Sequence, residues 1–232
     1  MFRLNLLLIL LSSATSVFSQ KNYVGLSFNV INSYRTEDSN YEYLNPYGKE
    51  IISWEAGVTY DRQLLNRFYI SSGILYSTKG YDTKPFISFY SEKHRYNYIE
   101  IPLGIKYSAI NSKRIRLNIK LEMRNQFLIQ AVYTPYDFLV LPFYMGSRPT
   151  AQKETKDYQE LKDQGFNMYN IGVGGGIEVL YKISNTLYIG LAPNANYSLK
   201  PITSKGAYYE PPNEKLYSYG IELKVIYSFG KK

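Results

Sequence analysis

The chain of 232 residues contains no cysteine. That excludes a disulfide framework and a thiolate metal site, and it removes the acylated cysteine a bacterial lipoprotein would carry. Histidine occurs once, as His94, and tryptophan once, as Trp54. Histidine is the commonest general base, so Ser–His chemistry of any kind would have to pass through His94. No segment beyond the N-terminus approaches 18 uninterrupted apolar residues, which excludes a transmembrane helix, and no long helical periodicity is present. The glycines between Gly172 and Gly176 are followed by neither a helix pattern nor Lys-Ser, so they do not read as a phosphate loop. The acidic residues Glu37, Asp38, Asp82 and Asp157 follow no calcium-loop spacing.

The N-terminus has the layout of a secretory leader. Arg3 is its positive charge, Leu4 to Leu11 is apolar except for Asn5, and Val17-Phe18-Ser19 supplies a cleavage site. The apolar stretch is too short to span a bilayer. Residues 1–19 are therefore expected to be a signal peptide and residues 20–232 a single all-β domain. The net charge is +8, of which Arg3 contributes one. The basic residues form no stripe interleaved with aromatics, so a nucleic-acid partner is not expected. Anionic lipid heads or lipopolysaccharide suit the charge better, as does simple solvation of the connections.

Alternation with period two fills the rest of the chain, in eight blocks. In the first, Val24, Leu26, Phe28 and Val30 face one way and Tyr23, Gly25, Ser27 and Asn29 the other. The fifth is the sharpest: Ile115, Leu117, Ile119, Leu121 and Met123 alternate with Arg116, Asn118, Lys120, Glu122 and Arg124. Successive side chains of a strand point to opposite faces. No charge falls on any apolar face, and the polar faces are rich in glycine, serine and asparagine. A soluble barrel would carry long polar side chains outside, whereas small polar residues suit a crowded interior. The pattern predicts an all-β, eight-stranded antiparallel up-and-down transmembrane β-barrel, apolar toward lipid and polar toward the lumen. A soluble carrier barrel with its apolar face inward is the rival fold.

The connections alternate in length. Arg62–Asn66, Ser108–Lys113 and Lys182–Thr186 are short, and 33–50, 80–95, 131–166 and 198–214 are long. Short periplasmic turns and long outer loops give this pattern. The 26 tyrosines follow it too. The second, fourth, sixth and eighth blocks end in Val58-Thr59-Tyr60, Ile105-Lys106-Tyr107, Val179-Leu180-Tyr181 and Val225-Ile226-Tyr227. Tyr60, Tyr107, Tyr181 and Tyr227 thus predict one interfacial girdle, and Tyr76, Tyr197, Tyr217 and Tyr219 a second at the opposite end.

By strand phase, Glu55, Glu100, Lys106, Arg116, Lys120, Glu122, Arg124, Glu178, Glu222 and Lys224 point inward. An eight-stranded barrel is just wide enough to be filled by side chains, and buried charges must pair. These residues are expected to form a lumen salt-bridge network. A narrow conduit or proton path is the functional alternative. Pro102 lacks an N–H and is expected to sit at a bulge. His94 is expected to be a solvated residue of a charged loop, and 151–165 to hold one or two helical turns. Neither cofactor nor metal is expected.

Gly73-Ile-Leu-Tyr-Ser-Thr-Lys-Gly80, Tyr98-Ile-Glu-Ile-Pro-Leu103, the glycine-spaced Gly172 to Glu178 and the near-terminal Phe229 give the chain a family likeness. It resembles the small outer-membrane β-barrel proteins of the Bacteroidetes, the PorT-like family. The resemblance covers nearly the whole chain after the leader. It implies a barrel in the cell outer membrane and, through the member that names the family, a link to protein-secretion machinery. Such barrels usually end on an aromatic residue; here Gly230-Lys231-Lys232 follow Phe229. The expected function is that of a structural or binding protein and not an enzyme, with lipopolysaccharide or a protein at the outer loops as partner. Tyr41-Glu42-Tyr43, Tyr133 to Tyr136 and Tyr208-Tyr209 are candidate contact residues. The alternatives are a small porin-like channel and an outer-membrane lipid-modifying enzyme.

Overall fold

Each alternating block becomes a strand, and each strand finds a neighbour on both sides. The structure, a computed structural model, describes residues 21–36, 48–83, 92–135, 153–203 and 215–230. The leader, Tyr41, Glu42, Tyr43, Tyr136, Tyr208 and Tyr209 lie outside the described residues. The strands are β1 (Asn22–Thr36), β2 (Gly48–Lys49), β3 (Ile51–Leu65), β4 (Phe68–Thr83), β5 (Glu92–Asn111), β6 (Ile115–Pro135), β7 (Glu154–Lys156), β8 (Tyr169–Lys182), β9 (Leu187–Ser198) and β10 (Lys215–Phe229). A helix, α1 (Tyr158–Asp163), follows β7.

Eight of these strands form the wall. β1 pairs with β3 on one side and β10 on the other, and β3–β4, β4–β5, β5–β6, β6–β8, β8–β9 and β9–β10 complete the ring. Every pairing is antiparallel between neighbours in the chain, and the first strand meets the last. The result is a closed eight-stranded antiparallel β-barrel. Asn66-Arg67, 112–114 and 183–186 join strands at one end. The chain enters and leaves at that end, where Asn22 lies opposite Phe229.

The wall is inverted relative to a soluble protein. Leu26 and Ile52 are 65% and 73% exposed, whereas their strand neighbours Ser27 and Ser53 are buried. The same contrast runs around the ring, with Ile74, Ile105, Leu121, Ile177, Leu191 and Leu223 outside. A wall strand needs about 9–11 residues to cross a bilayer when tilted. β9 has 12, but β5 and β6 have 20 and 21, so these two run well past the apolar band at the long-connection end.

That extension corrects several expectations. Residues 33–36, 80–83, 92–95 and 131–135 belong to strands and not to loops. His94 is therefore a strand residue, 7% exposed and turned inward, and Tyr133 is likewise buried and inward. The expected helical turns are present as α1, and β7 adds a short strand on β6. Asp157 caps the helix: its Oδ1 accepts from the backbone N–H groups of Gln159 and Glu160, and Glu160 accepts from the Asp157 N–H. Leu161 carries the helix into the core.

Pro102 does not sit at a bulge. It stays in register with Arg124 on β6, and register shifts occur instead between Asn97 and Tyr98 and between Ser108 and Ile110. Toward β4 the pairing stops at Ser72–Leu103 and resumes at Leu75–Glu100 with the register unchanged. Pro193 repeats this: it keeps step with Ile221 while the β8–β9 ladder lapses between Gly176–Asn194 and Val179–Leu191. A missing N–H can cost one ladder bond without an inserted residue when both flanking segments are pinned.

Glycine on the inner face allows strands to close up. A Cβ at Gly57 would overlap the Ile74 carbonyl and come within 2.8 Å of the Leu75 Cα. Gly57→Ala is expected to lower the urea midpoint of the folded, heat-resistant species by an amount corresponding to about 1–3 kcal/mol. Ala56→Val, one residue away on the outer face, should leave it within about 0.5 kcal/mol.

Candidate functional site

The inward side chains fill the lumen in three layers. The middle layer is one continuous chain of opposite charges. Arg124 on β6 is its hub: Nη1 lies 2.7 Å from Glu55 Oε1 and 3.1 Å from Glu100 Oε2, and Nε donates to Glu122 Oε1 at 2.7 Å. Lys79 adds a second cation to the Glu55–Glu100 pair, 2.6 Å from Glu100. From Glu122 the chain continues through Lys120 (3.1 Å), Glu222 (3.5 Å), Lys224 (3.2 Å) and Glu178 (2.8 Å). Lys106 then joins Glu178 at 3.3 Å to Asp61 at 2.6 Å.

Neutral donors add to four of the carboxylates, whereas Asp61 Oδ1 is buried without a hydrogen-bond partner. Ser27 donates to Glu222, Ser77 to Glu100, Asn29 to Glu55 and Asn118 to Glu178. Burying an ion costs several kcal/mol even after relaxation, and excellent pairing is needed to offset it. Here Arg124 and Lys106 are 1% and 2% exposed, Glu100 and Glu178 0% and 1%.

Nine of the ten charged residues expected to point into the lumen join this chain, but Arg116 does not. Its guanidinium sits among Tyr23, Tyr69 and Tyr188, at 5.0, 5.6 and 5.1 Å from their ring centroids, and donates to the Tyr23 hydroxyl. Leu180 and Ile226 close the cluster. This layer lies at the short-turn end, beyond the reach of the carboxylates. A cation desolvated against three rings is held by their quadrupoles.

The third layer closes the long-connection end. Tyr81, Tyr96, Tyr98, Leu128 and Tyr133 pack with Leu161 of α1, Phe166, Ile202 and Leu216. His94 belongs here. Its ring stacks on Tyr81 at 4.7 Å and 12°, meets Tyr133 edge-on at 5.0 Å, and has the Tyr96 hydroxyl 3.5 Å from Nδ1. Arg35 lies over Tyr81 and Lys156 over Tyr133, both at 4.7 Å.

Asp61, Lys79 and the gathering of the inward aromatics into layers are not among the sequence expectations, although Tyr23 shares the polar face of its strand. The first two were within reach of strand phase: Asp61 follows Thr59, and Lys79 follows Ser77, at the two-residue step that keeps a side chain inward.

On the outer face, Tyr60, Tyr107, Tyr181 and Tyr227 are exposed at the short-turn end, with Phe68 5.1 Å from Tyr107 and the Tyr60 hydroxyl donating to Asn22. Toward the other end Trp54 meets Tyr76, Tyr34 meets Tyr217 and Phe127 meets Tyr169. Tyr197 pairs across strands with Tyr217, and the Tyr219 hydroxyl donates to Glu50. Among the described residues no group of three or more metal-ligating side chains converges.

An inside-out wall around a charged, filled interior defines the class: a transmembrane-type β-barrel. Residues 18–204 match the family model of the outer membrane protein beta-barrel domain, and the chain belongs to that family. Among solved structures it is similar to a major outer membrane protein from Thermus thermophilus, at 13% identity and a TM-score of 0.50, covering 90% of this chain and 99% of that one. It also aligns with the outer membrane protein OprG from Pseudomonas aeruginosa (12% identity, TM-score 0.48, 91% and 96% covered) and with Neisserial surface protein A (9%, 0.46, 88% and 96%). At such identities the likeness is one of fold alone. No curated protein matches the chain.

Arg124→Leu is expected to destabilise the barrel by about 3–5 kcal/mol, because Glu55, Glu100 and Glu122 all lose a buried partner. Arg116→Leu should cost closer to about 2 kcal/mol, since only ring contacts and one hydrogen bond are lost. Urea unfolding of the two variants in the same detergent checks the order.

Proposed function

We propose that this chain is an integral protein of a Gram-negative outer membrane, exported by its N-terminal leader, that acts as a structural or binding protein. The barrel is its anchor, with Tyr60, Tyr107, Tyr181 and Tyr227 at the periplasmic interface and Tyr76, Tyr197, Tyr217 and Tyr219 at the outer one. The long connections at the outer end carry the contacts, to lipopolysaccharide or to a protein partner. The resemblance to PorT-like barrels of the Bacteroidetes favours a partner in the secretion machinery.

The observation that supports this reading is the filled lumen. A channel needs a continuous polar path, and here aromatic layers lie above and below a continuous chain of ion pairs. A lipid-modifying enzyme working through the sole histidine needs it open to substrate, and His94 is 7% exposed and walled by tyrosine rings.

The purified protein is expected to run as a heat-modifiable band from the outer-membrane fraction and to be electrically silent in planar bilayers. Discrete conductance altered by Lys120→Ala or Glu122→Ala would establish the channel instead. A lipid-modifying activity abolished by His94→Ala, with the folded band retained, would establish the enzyme.

A further inference from the structure

One stretch of the outer rim carries fixed positive charge. At the long-connection end of the β8–β9–β10 wall, Lys200 Nζ lies 4.9 Å above the ring of Tyr169, and Lys215 Nζ 5.6 Å above that of Tyr197. Among the described residues neither ammonium meets a carboxylate within ion-pair distance. The β9–β10 register pairs Tyr197 with Tyr217. Lys215 lies two residues before Tyr217 on β10 and Lys200 three residues after Tyr197 at the end of β9, so both lysines stand at the same end of neighbouring strands.

Both backbones are clamped. The Lys200 N–H donates to Asn170 Oδ1 and its carbonyl accepts from Asn170 Nδ2, at 3.1 and 2.9 Å. The Lys215 N–H and carbonyl both bond to the Thr36 hydroxyl at 3.3 Å. The segment beyond Lys200 is tied down as well, with Asn167 donating to the carbonyls of Pro201 and Ile202 and Phe166 bridged to Thr203. The rings under the ammoniums are those of Tyr169 and Tyr197, Tyr197 pairs with Tyr217, and farther along the outer face of the same strands Leu191 and Ile221 are exposed.

We propose that Lys200 and Lys215 form a site for the phosphate groups of an anionic glycolipid of the outer leaflet. Each ammonium receives a phosphate group, the tyrosines lie against the sugar, and the apolar strands below accept the acyl chains. Cations at the membrane interface attract anionic lipid heads, and lysine stems lie along apolar surface while their charges reach the polar layer. Clamped backbones lower the ordering cost of the contact. The inference rests on the outer-membrane reading above, since it needs this rim to face the outer leaflet.

The test uses the full-length protein in phosphatidylcholine nanodiscs doped with diphosphoryl lipid A or with its dephosphorylated form, with bound glycolipid counted by native mass spectrometry. Retention of the phosphorylated form is expected to exceed that of the dephosphorylated form by about tenfold. Lys200→Gln with Lys215→Gln should abolish most of that preference, and Lys113→Gln with Lys182→Gln, equal in charge but at the short-turn end, should preserve it. Three results would overturn the site: no preference for phosphate, equal loss in both double variants, or full displacement by inorganic phosphate, which marks a free-anion site. The readout is independent of conductance. A barrel that is folded and silent but shows no phosphate preference removes this site alone, whereas a conducting barrel removes the reading beneath it.

Discussion

Inside a bilayer a backbone N–H or C=O has no water to bond, so each strand must have a neighbour on both sides. The pairing of Asn22–Thr36 with Lys215–Phe229 meets that requirement, because it joins the first strand to the last and leaves no edge. Closure then dictates what each side chain can be. One of every two positions faces lipid and must be apolar; the other faces a lumen too narrow for bulk water. The two lapses in the ladder, at Pro102 and Pro193, are tolerated because their register is held by the opposite neighbour.

The interior follows from the same geometry. With eight strands, inward side chains from opposite walls touch, and charges placed there must find one another. Arg124 joins carboxylates from β3, β5 and β6 at once. Its contacts therefore tie wall strands that share no ladder as well as strands that do. The aromatic layers at the two ends exclude water from this chain and so strengthen it. A filled lumen of this kind makes the barrel rigid.

Much of this was legible in the sequence because a strand of period two declares its face at every residue. The eight blocks, the short turns, the inversion and the direction of Arg116, Glu122 and Arg124 all follow from that rule. The upper ends of β5 and β6 did not, because Glu92-Lys93-His94-Arg95 is polar on both faces once the strand has left the apolar band. His94 and Tyr133 therefore read as loop residues although the ladder continues through them. Phase gives the side a residue faces but not its neighbours at its own height. Arg116 points inward as expected, but the side chains at its level are Tyr23, Tyr69 and Tyr188, brought together from three other strands.

The account depends most on which face of the wall meets lipid, and the absence of cysteine makes that measurable with single labels. Nitroxides would be placed by Leu26→Cys, Ile52→Cys and Leu121→Cys on the outer face, and by Ser27→Cys, Ser53→Cys and Ser71→Cys on the inner, in reconstituted bilayers. Collision with dissolved oxygen should be high at the first three positions and low at the last three, with a water-soluble nickel chelate excluded from all six. Nickel chelate reaching Leu26, Ile52 and Leu121 would mean that the apolar wall does not face lipid, and the inverted barrel would be refuted.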